Sequence, residues 1–128
     1  MKISQFEDIV AWQKAQDLAV AVYQQFDKSG DTGFKNQICR AAVSISNNIA
    51  EGFDRQTDKQ FSSFLYIALG SNSEVQSMLH LAARLHWISA SVHNELIQQT
   101  KEISRIIFGF IQYLNKSWVL SPESWVRR

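Results

Sequence analysis

The residues of this sequence that could do chemistry are few and scattered. Cys39 is next to Arg40, whose charge can lower the pKa of a thiol, but no histidine is placed to act as a base, which favours a packing role for Cys39. His80 and His86 are six residues apart, and His93 lies across a predicted loop, so their spacing is not that of metal ligands. The chain also lacks Glu-x-x-His pairs, phosphate-binding glycine loops and nucleophilic serine motifs. We therefore expect no catalytic residues, no metal and no cofactor.

Three charged residues occupy two segments that are otherwise almost free of charge. Arg40 is the only one between residues 38 and 50, and Glu74 is the only one between residues 60 and 83. Glu51 follows Arg40 by eleven residues, which is about three helical turns, so the two share a helix face but cannot touch. We predict structural ion pairs for Arg40, Glu51 and Glu74, with Arg40 and Glu74 meeting across two helices. An acid–base role for the same residues is the alternative.

The elements that position these residues are predicted to be helices. Apolar residues recur every three or four positions over about 5–26, 34–52 and 57–86, and again from the end of a loop at 87–91 to about 118. The chain has one proline, Pro122, and few glycines, which favours an all-α chain. Four helices with short links predict an antiparallel up-down-up-down four-helix bundle over residues 1–118. The tail, 119–128, is expected either to dock on the bundle or to be disordered.

Several residues predict where the helices begin and end. Ser4 with Glu7, and Thr57 with Gln60, have the spacing of capping boxes at the starts of the first and third helices. Gly52 is predicted to end the second helix in a conformation with positive φ.

The overall charge excludes a strong general attraction to polyanions. Thirteen basic and twelve acidic residues leave a formal charge of +1. With a single cysteine, no signal-peptide pattern and no apolar segment long enough to span a bilayer, we expect a cytoplasmic protein without a membrane partner.

The two charge-poor helices are predicted to be covered on more than one side. A surface helix normally carries charge on its outward face, so their composition indicates a further packing surface, which we assign to another subunit. Serine- and asparagine-rich helices that remain solvated are the alternative. The predicted subunit-packing residues are small or amide-bearing members of the second helix: Ala41, Ala42, Ser44, Ile45, Asn47 and Asn48.

Three stretches carry a family resemblance: FEDIVAWQKA, GFKNQICRAAVSISNNIAEGFDR and FLYIALGSNSEVQ. Together they resemble the bacterial four-helix-bundle family known as 23S ribosomal RNA intervening-sequence proteins, over about residues 6–114. Lys28, Asp31 and Thr32 depart from the family pattern in the turn before the second helix. The resemblance implies a small homo-oligomer, often a pentamer, whose biochemical activity is poorly defined. More distantly, the sequence is similar to retroelement accessory variability determinants, which bind nucleic acid and a reverse transcriptase.

The resemblance implies an RNA-associated role, and the fourth helix offers candidate contacts for it. Lys101 and Arg105 are one turn apart, and Lys116 lies further along the same helix, so the three could contact phosphates of RNA or meet a nucleic-acid-processing protein. A solvated helix face, with Glu102 among the basic residues, is the alternative.

Overall fold

The computed structural model describes residues 3–120 and the side chains of residues 3–116. In this part the chain forms one 3-10 turn, Phe6–Asp8, and four α-helices, with no strand. The helices are α1 (Val10–Phe26), α2 (Thr32–Phe53), α3 (Asp58–Arg84) and α4 (Ala90–Leu120). The predicted all-α class is confirmed. Helix α4 continues past residue 118, where we expected the tail to begin, and residues 121–128 of that tail lie outside the described residues.

Successive helices pack against one another in opposite directions. Between α2 and α3, the Gln37 side chain bonds to Glu74, and Ser44 bonds to Ser71, so rising numbers in one helix meet falling numbers in the other. The same order relates α3 to α4 and α1 to α2, and α1 closes the bundle against α4. Because the links are at most five residues long, each helix lies beside the one that precedes it.

One of the two predicted capping boxes forms, at the start of α3. Thr57 caps α3 by accepting a hydrogen bond from the Gln60 backbone N–H at 3.1 Å, and the Gln60 side chain accepts in return from the Gln56 N–H. Asp31 caps α2 in the same way through the Phe34 N–H at 2.9 Å, so α2 begins slightly earlier than predicted.

The predicted capping box at Ser4 and Glu7 is wrong. Helix α1 begins only at Val10, with Ile9 as an N-cap that makes no side-chain bond. Before it, the chain forms the 3-10 turn, in which the Phe6 ring packs edge-on against Trp12 with centroids 5.3 Å apart. An apolar contact therefore fixes the entry to α1, where the sequence suggested a polar cap.

Gly52 lies inside α2 and does not have positive φ, contrary to the prediction. The reason for glycine here is a close approach of two helices. A Cβ on Gly52 would lie 2.6 Å from the Cβ of Phe64 and 2.8 Å from Cδ1 of Phe61, both on α3. The left-handed residue is instead His86, with φ of 61°, at the end of α3. There the N–H groups of His86 and Trp87 bond back to the carbonyls of Ala83 and Ala82, which is the Schellman pattern.

The core runs the length of the bundle and contains a few polar groups. Its largest fully buried side chains are Leu18, Ile38, Ile45, Ile49, Phe61, Leu65, Leu79, Ile103, Ile107 and Ile111. Asn72 is also fully buried, and its amide donates to the Thr100 carbonyl at 2.7 Å and to Ser104 Oγ at 2.8 Å. These bonds fix the register of α3 against α4, because a buried amide is costly when its donors are unpaired. Its Oδ1 has no hydrogen-bond partner.

Candidate interaction surfaces

The structure does not form the predicted ion pair between Arg40 and Glu74. Arg40, Glu51 and Glu74 are all exposed, and no ion pair within residues 3–116 includes any of them. Glu74 accepts a hydrogen bond from the Gln37 side chain at 3.0 Å instead. Since water solvates the three charges, none needs an ionic partner inside the protomer.

Half of the residues predicted to pack against another subunit belong to the core of their own chain. Ala42 and Ile45 are completely buried, and Ala41 is 5% exposed, so a second subunit could not reach them and their assignment is corrected. Their small or branched side chains let α2 lie close to its neighbours in one protomer. Asn47 is exposed, and Ser44 and Asn48 are half-buried, so these three lie at the surface.

The outward sides of α2 and α3 form one continuous surface, which we call the α2–α3 face. Its exposed side chains are Asn36, Gln37, Arg40, Asn47 and Glu51 from α2, and Tyr66, Ile67, Ser73, Glu74, Ser77 and Leu81 from α3. Ser44 and Ser71 share a hydrogen bond of 2.8 Å across the seam, and Asn48 donates to both Ser44 oxygens. Arg40 lies between two shallow grooves of about 510 and 590 Å³.

The α3 half of this face is apolar for a solvated surface. Tyr66, Ile67 and Leu81 are each about half exposed, at 53%, 52% and 49%. Between them Gly70 is open, because a Cβ built on it would meet nothing within 4 Å. Glu74 is the only charge in residues 60–83. A helix side with few charges and several exposed apolar side chains is expected of a surface that binds another protein.

A separate strip on α4 carries the predicted nucleic-acid contacts. Lys101, Arg105 and Lys116 are all exposed, and their spacings of four and eleven residues place them on one helix face. Phe108, which is 49% exposed, lies among them on that face. Glu102 points away from this basic strip, because its carboxylate lies 3.5 Å from Lys14 of α1. Three cations and one aromatic ring therefore line the strip without an intervening carboxylate.

The thiol of Cys39 is buried among the helices. Burial raises its pKa above the ordinary value, and the nearby charge of Lys35 only partly opposes this effect. The neighbouring Arg40 points to solvent. The thiol is therefore protonated at neutral pH, which disfavours nucleophilic chemistry at this position.

Two of the three histidines come together, which their spacing in the sequence did not predict. Nδ1 of His80, on α3, lies 2.9 Å from Nε2 of His93, on α4. Thirteen residues separate them, and only the register of the two helices across the turn brings them into contact. His86 lies in that turn itself. Within residues 3–116 no group of three or more His, Cys, Asp or Glu side chains is arranged around a common point.

The fold defines a small helical-bundle protein, and the comparisons with known proteins agree. The sequence model of the 23S rRNA-intervening sequence protein family matches residues 7–109. The chain belongs to this family, as its three characteristic stretches indicated.

The same fold occurs among solved structures. One of them is a crystal structure of a protein of unknown function from the S23 ribosomal protein family of Bacteroides thetaiotaomicron. The two share 25% sequence identity and superpose with a TM-score of 0.75, over 80% of this chain and 98% of the other. No curated protein sequence matches the chain. None of the helices in the described part of the chain is long and apolar enough to cross a membrane.

Proposed function

We propose that the protein is a non-catalytic, cytoplasmic assembly module that binds copies of itself through the α2–α3 face. The observation that carries the proposal is the outer side of α3, where Tyr66, Ile67 and Leu81 are about half exposed and almost no charge accompanies them. Burying apolar area of this kind stabilises association by about 25 cal/mol per Å². The outer side of α3 lacks the charged side chains that a helix exposed to water normally carries.

The charges at the edges of this face favour a second copy as the partner. Arg40 and Glu74 are both exposed, and neither has an ionic partner within the described part of its own chain. The face carries Arg40 and the carboxylates of Glu51 and Glu74, so Arg40 of one copy can meet Glu74 of the next. When the α2 half of one copy packs on the α3 half of the next, the contact is head-to-tail, and such contacts form a ring if the rotation between neighbours closes. The family resemblance favours a ring, and a pentamer in particular.

The test compares the mass of the wild-type protein in solution with that of two single variants. Light scattering after gel filtration at micromolar concentration is expected to show an oligomer for the wild type. Ile67→Glu introduces a charge in the middle of the face and is expected to give monomers. Val20→Glu makes the same change at an exposed apolar residue of α1 and is expected to remain oligomeric. A monomeric wild type, or equal loss of assembly in both folded variants, would refute the proposal.

A second candidate function, binding to structured RNA, has its own support in the basic strip of α4. Lys101, Arg105 and Lys116 can contact phosphates, and the exposed ring of Phe108 can stack on an unpaired base. Because the chain has a net charge of only +1, this affinity has to come from local contacts. Assembly would strengthen it by repeating the strip once per subunit.

Gel-shift titration with 23S ribosomal RNA fragments over a series of salt concentrations tests this role. The double variant Lys101→Gln with Arg105→Gln is expected to bind more weakly and to reduce the magnitude of the negative slope of log K against log salt by about 1.4–1.8. Arg84→Gln removes an exposed cation from α3 and is expected to leave the slope unchanged. Affinity that does not depend on salt, or that is equal in all three proteins, contradicts the assignment.

A further inference from the structure

Outside both surfaces, α3 and α4 bring two imidazole rings into direct contact. His80 Nδ1 and His93 Nε2 are 2.9 Å apart, the ring centroids are 5.0 Å apart, and the ring planes meet at 66°. In such a contact between neutral rings, one nitrogen donates its hydrogen and the other accepts it through its lone pair. The pair therefore holds one proton between two basic nitrogens.

We propose that His80 and His93 bind one divalent transition-metal ion, such as Zn²⁺, in place of the shared proton. Two imidazole nitrogens on one tetrahedral Zn²⁺, each about 2.1 Å from the ion, are about 3.4 Å apart. The observed separation has to widen by about 0.5 Å to reach this value. The contact is solvent-exposed, so both rings can turn to direct a lone pair at the ion. Imidazole suits Zn²⁺, Cu²⁺ and Ni²⁺, whereas Mg²⁺ and Ca²⁺ prefer oxygen ligands.

The backbones on both sides of the pair are held in place. The His93 N–H bonds to the Ser89 carbonyl at 2.9 Å, and the Ser89 hydroxyl accepts from the Val92 N–H, so the first turn of α4 is fixed. The end of α3 is fixed by the turn at His86. Because the ligands stand on two anchored helices, little order is lost when an ion binds.

The site would have two protein ligands, with water in its other coordination positions. No third His, Cys, Asp or Glu of the described residues completes it. The nearest charges along the two helices are Arg84, four residues after His80, and Glu95, two residues after His93. An ion bound here links the C-terminal end of α3 to the N-terminal end of α4. It stabilises the folded chain by an amount that grows with the logarithm of the free ion concentration above Kd, and protons compete with it at acid pH.

Calorimetric titration of the full chain with ZnCl₂ at pH 7.5 tests this site. The wild type is expected to bind one Zn²⁺ per chain, and excess MgCl₂ is expected to leave the affinity unchanged. His80→Gln and His93→Gln should each weaken binding at least tenfold. His86→Gln removes a histidine from the adjoining turn and should bind like the wild type.

A second measurement reports whether the ion links the two helices. Saturating ZnCl₂ is expected to raise the melting temperature of the wild type and of His86→Gln, but not that of His80→Gln or His93→Gln. The rise should disappear at pH 5.5, where protons displace the ion. Undetectable binding at millimolar ZnCl₂, wild-type affinity in His80→Gln and His93→Gln, or equal loss in His86→Gln would overturn the proposal.

Discussion

The inner and outer sides of α3 are similarly poor in charge but differ in what covers them. On the inner side Phe61, Leu65 and Leu79 are completely buried by the other helices of the same chain. On the outer side Tyr66 and Ile67 remain about half exposed. A lack of charge therefore predicts that a helix side is buried, but it does not say whether the same chain or another molecule buries it. The comparison separates residues that stabilise the folded chain from residues that the proposed assembly would bury.

Truncating one aromatic residue on each side should give the largest contrast. Phe61→Ala removes a fully buried ring that packs edge-on against Phe53 and Phe110, and it should lower the free energy of unfolding by about 3–5 kcal/mol. Tyr66→Ala should change the stability of the protomer by less than about 0.5 kcal/mol. Urea denaturation at concentrations low enough to keep the chain monomeric measures both. Similar losses of unfolding free energy in the two variants would contradict the difference between the inner and outer sides.

Adding a methyl group to a glycine on each side should give effects of opposite sign. Gly52→Ala places a Cβ against Phe61 and Phe64 and should destabilise the protomer by about 1–3 kcal/mol. Gly70→Ala meets no atom within 4 Å and should stabilise the helix by up to about 1 kcal/mol, because alanine favours helix over glycine. Thermal melting measures both shifts. A stabilising Gly52→Ala would show that α2 and α3 are less tightly packed than described.

Two neighbouring polar residues offer a smaller contrast. Asn72→Ala removes the buried amide that bonds to Thr100 and Ser104 and should lower the free energy of unfolding by about 1 kcal/mol. This loss is at the low end for buried hydrogen bonds, because the change also removes the unpartnered Oδ1. Ser73→Ala, on the exposed side, should be neutral or stabilise by up to about 0.5 kcal/mol. Chemical denaturation of the pair is the measurement, and a neutral Asn72→Ala would show that the amide does not set the register.

The last contrast concerns the reactivity of a thiol placed inside the bundle or on its outer side. Cys39 is buried with a raised pKa, so it should react with a maleimide at least a hundredfold more slowly than a cysteine introduced by Ser73→Cys in a Cys39→Ser background. The raised pKa means that the folded chain holds the proton more tightly. The free energy of unfolding is therefore highest below the pKa of an unfolded thiol, about 8.5, and it falls as pH rises from there through the pKa of the folded thiol. Equal reaction rates would indicate that the helices around Cys39 open readily.

The sequence predicted the fold well because helical periodicity and local caps depend on nearby residues. Thr57 and Gln60 form their cap as expected, whereas the box at Ser4 fails because Phe6 makes a better contact with Trp12. The predicted reason for glycine at position 52, a helix end with positive φ, is wrong. A close contact between two helices also requires glycine, and the sequence does not distinguish the two reasons. Such contacts depend on packing, which a single sequence does not display.

The candidate surfaces were less predictable. Periodicity does not say which side of a charge-poor helix faces the core, so Ala42 and Ile45 were assigned outward although both are fully buried. The contact between His80 and His93 depends on the register of α3 against α4. Asn72 helps to fix that register, but its hydrogen-bond partners cannot be predicted from the sequence.

The short links between the helices have a consequence for how the chain reaches its structure. In the described part of the chain, most of the helix packing joins elements that follow one another directly, and the closure of α1 on α4 brings the most distant elements together. Chains dominated by local contacts fold within about microseconds to milliseconds. Each newly made chain would therefore be folded long before it encounters another at micromolar concentration, so the proposed assembly would be a later step that the cellular abundance of the protein can control.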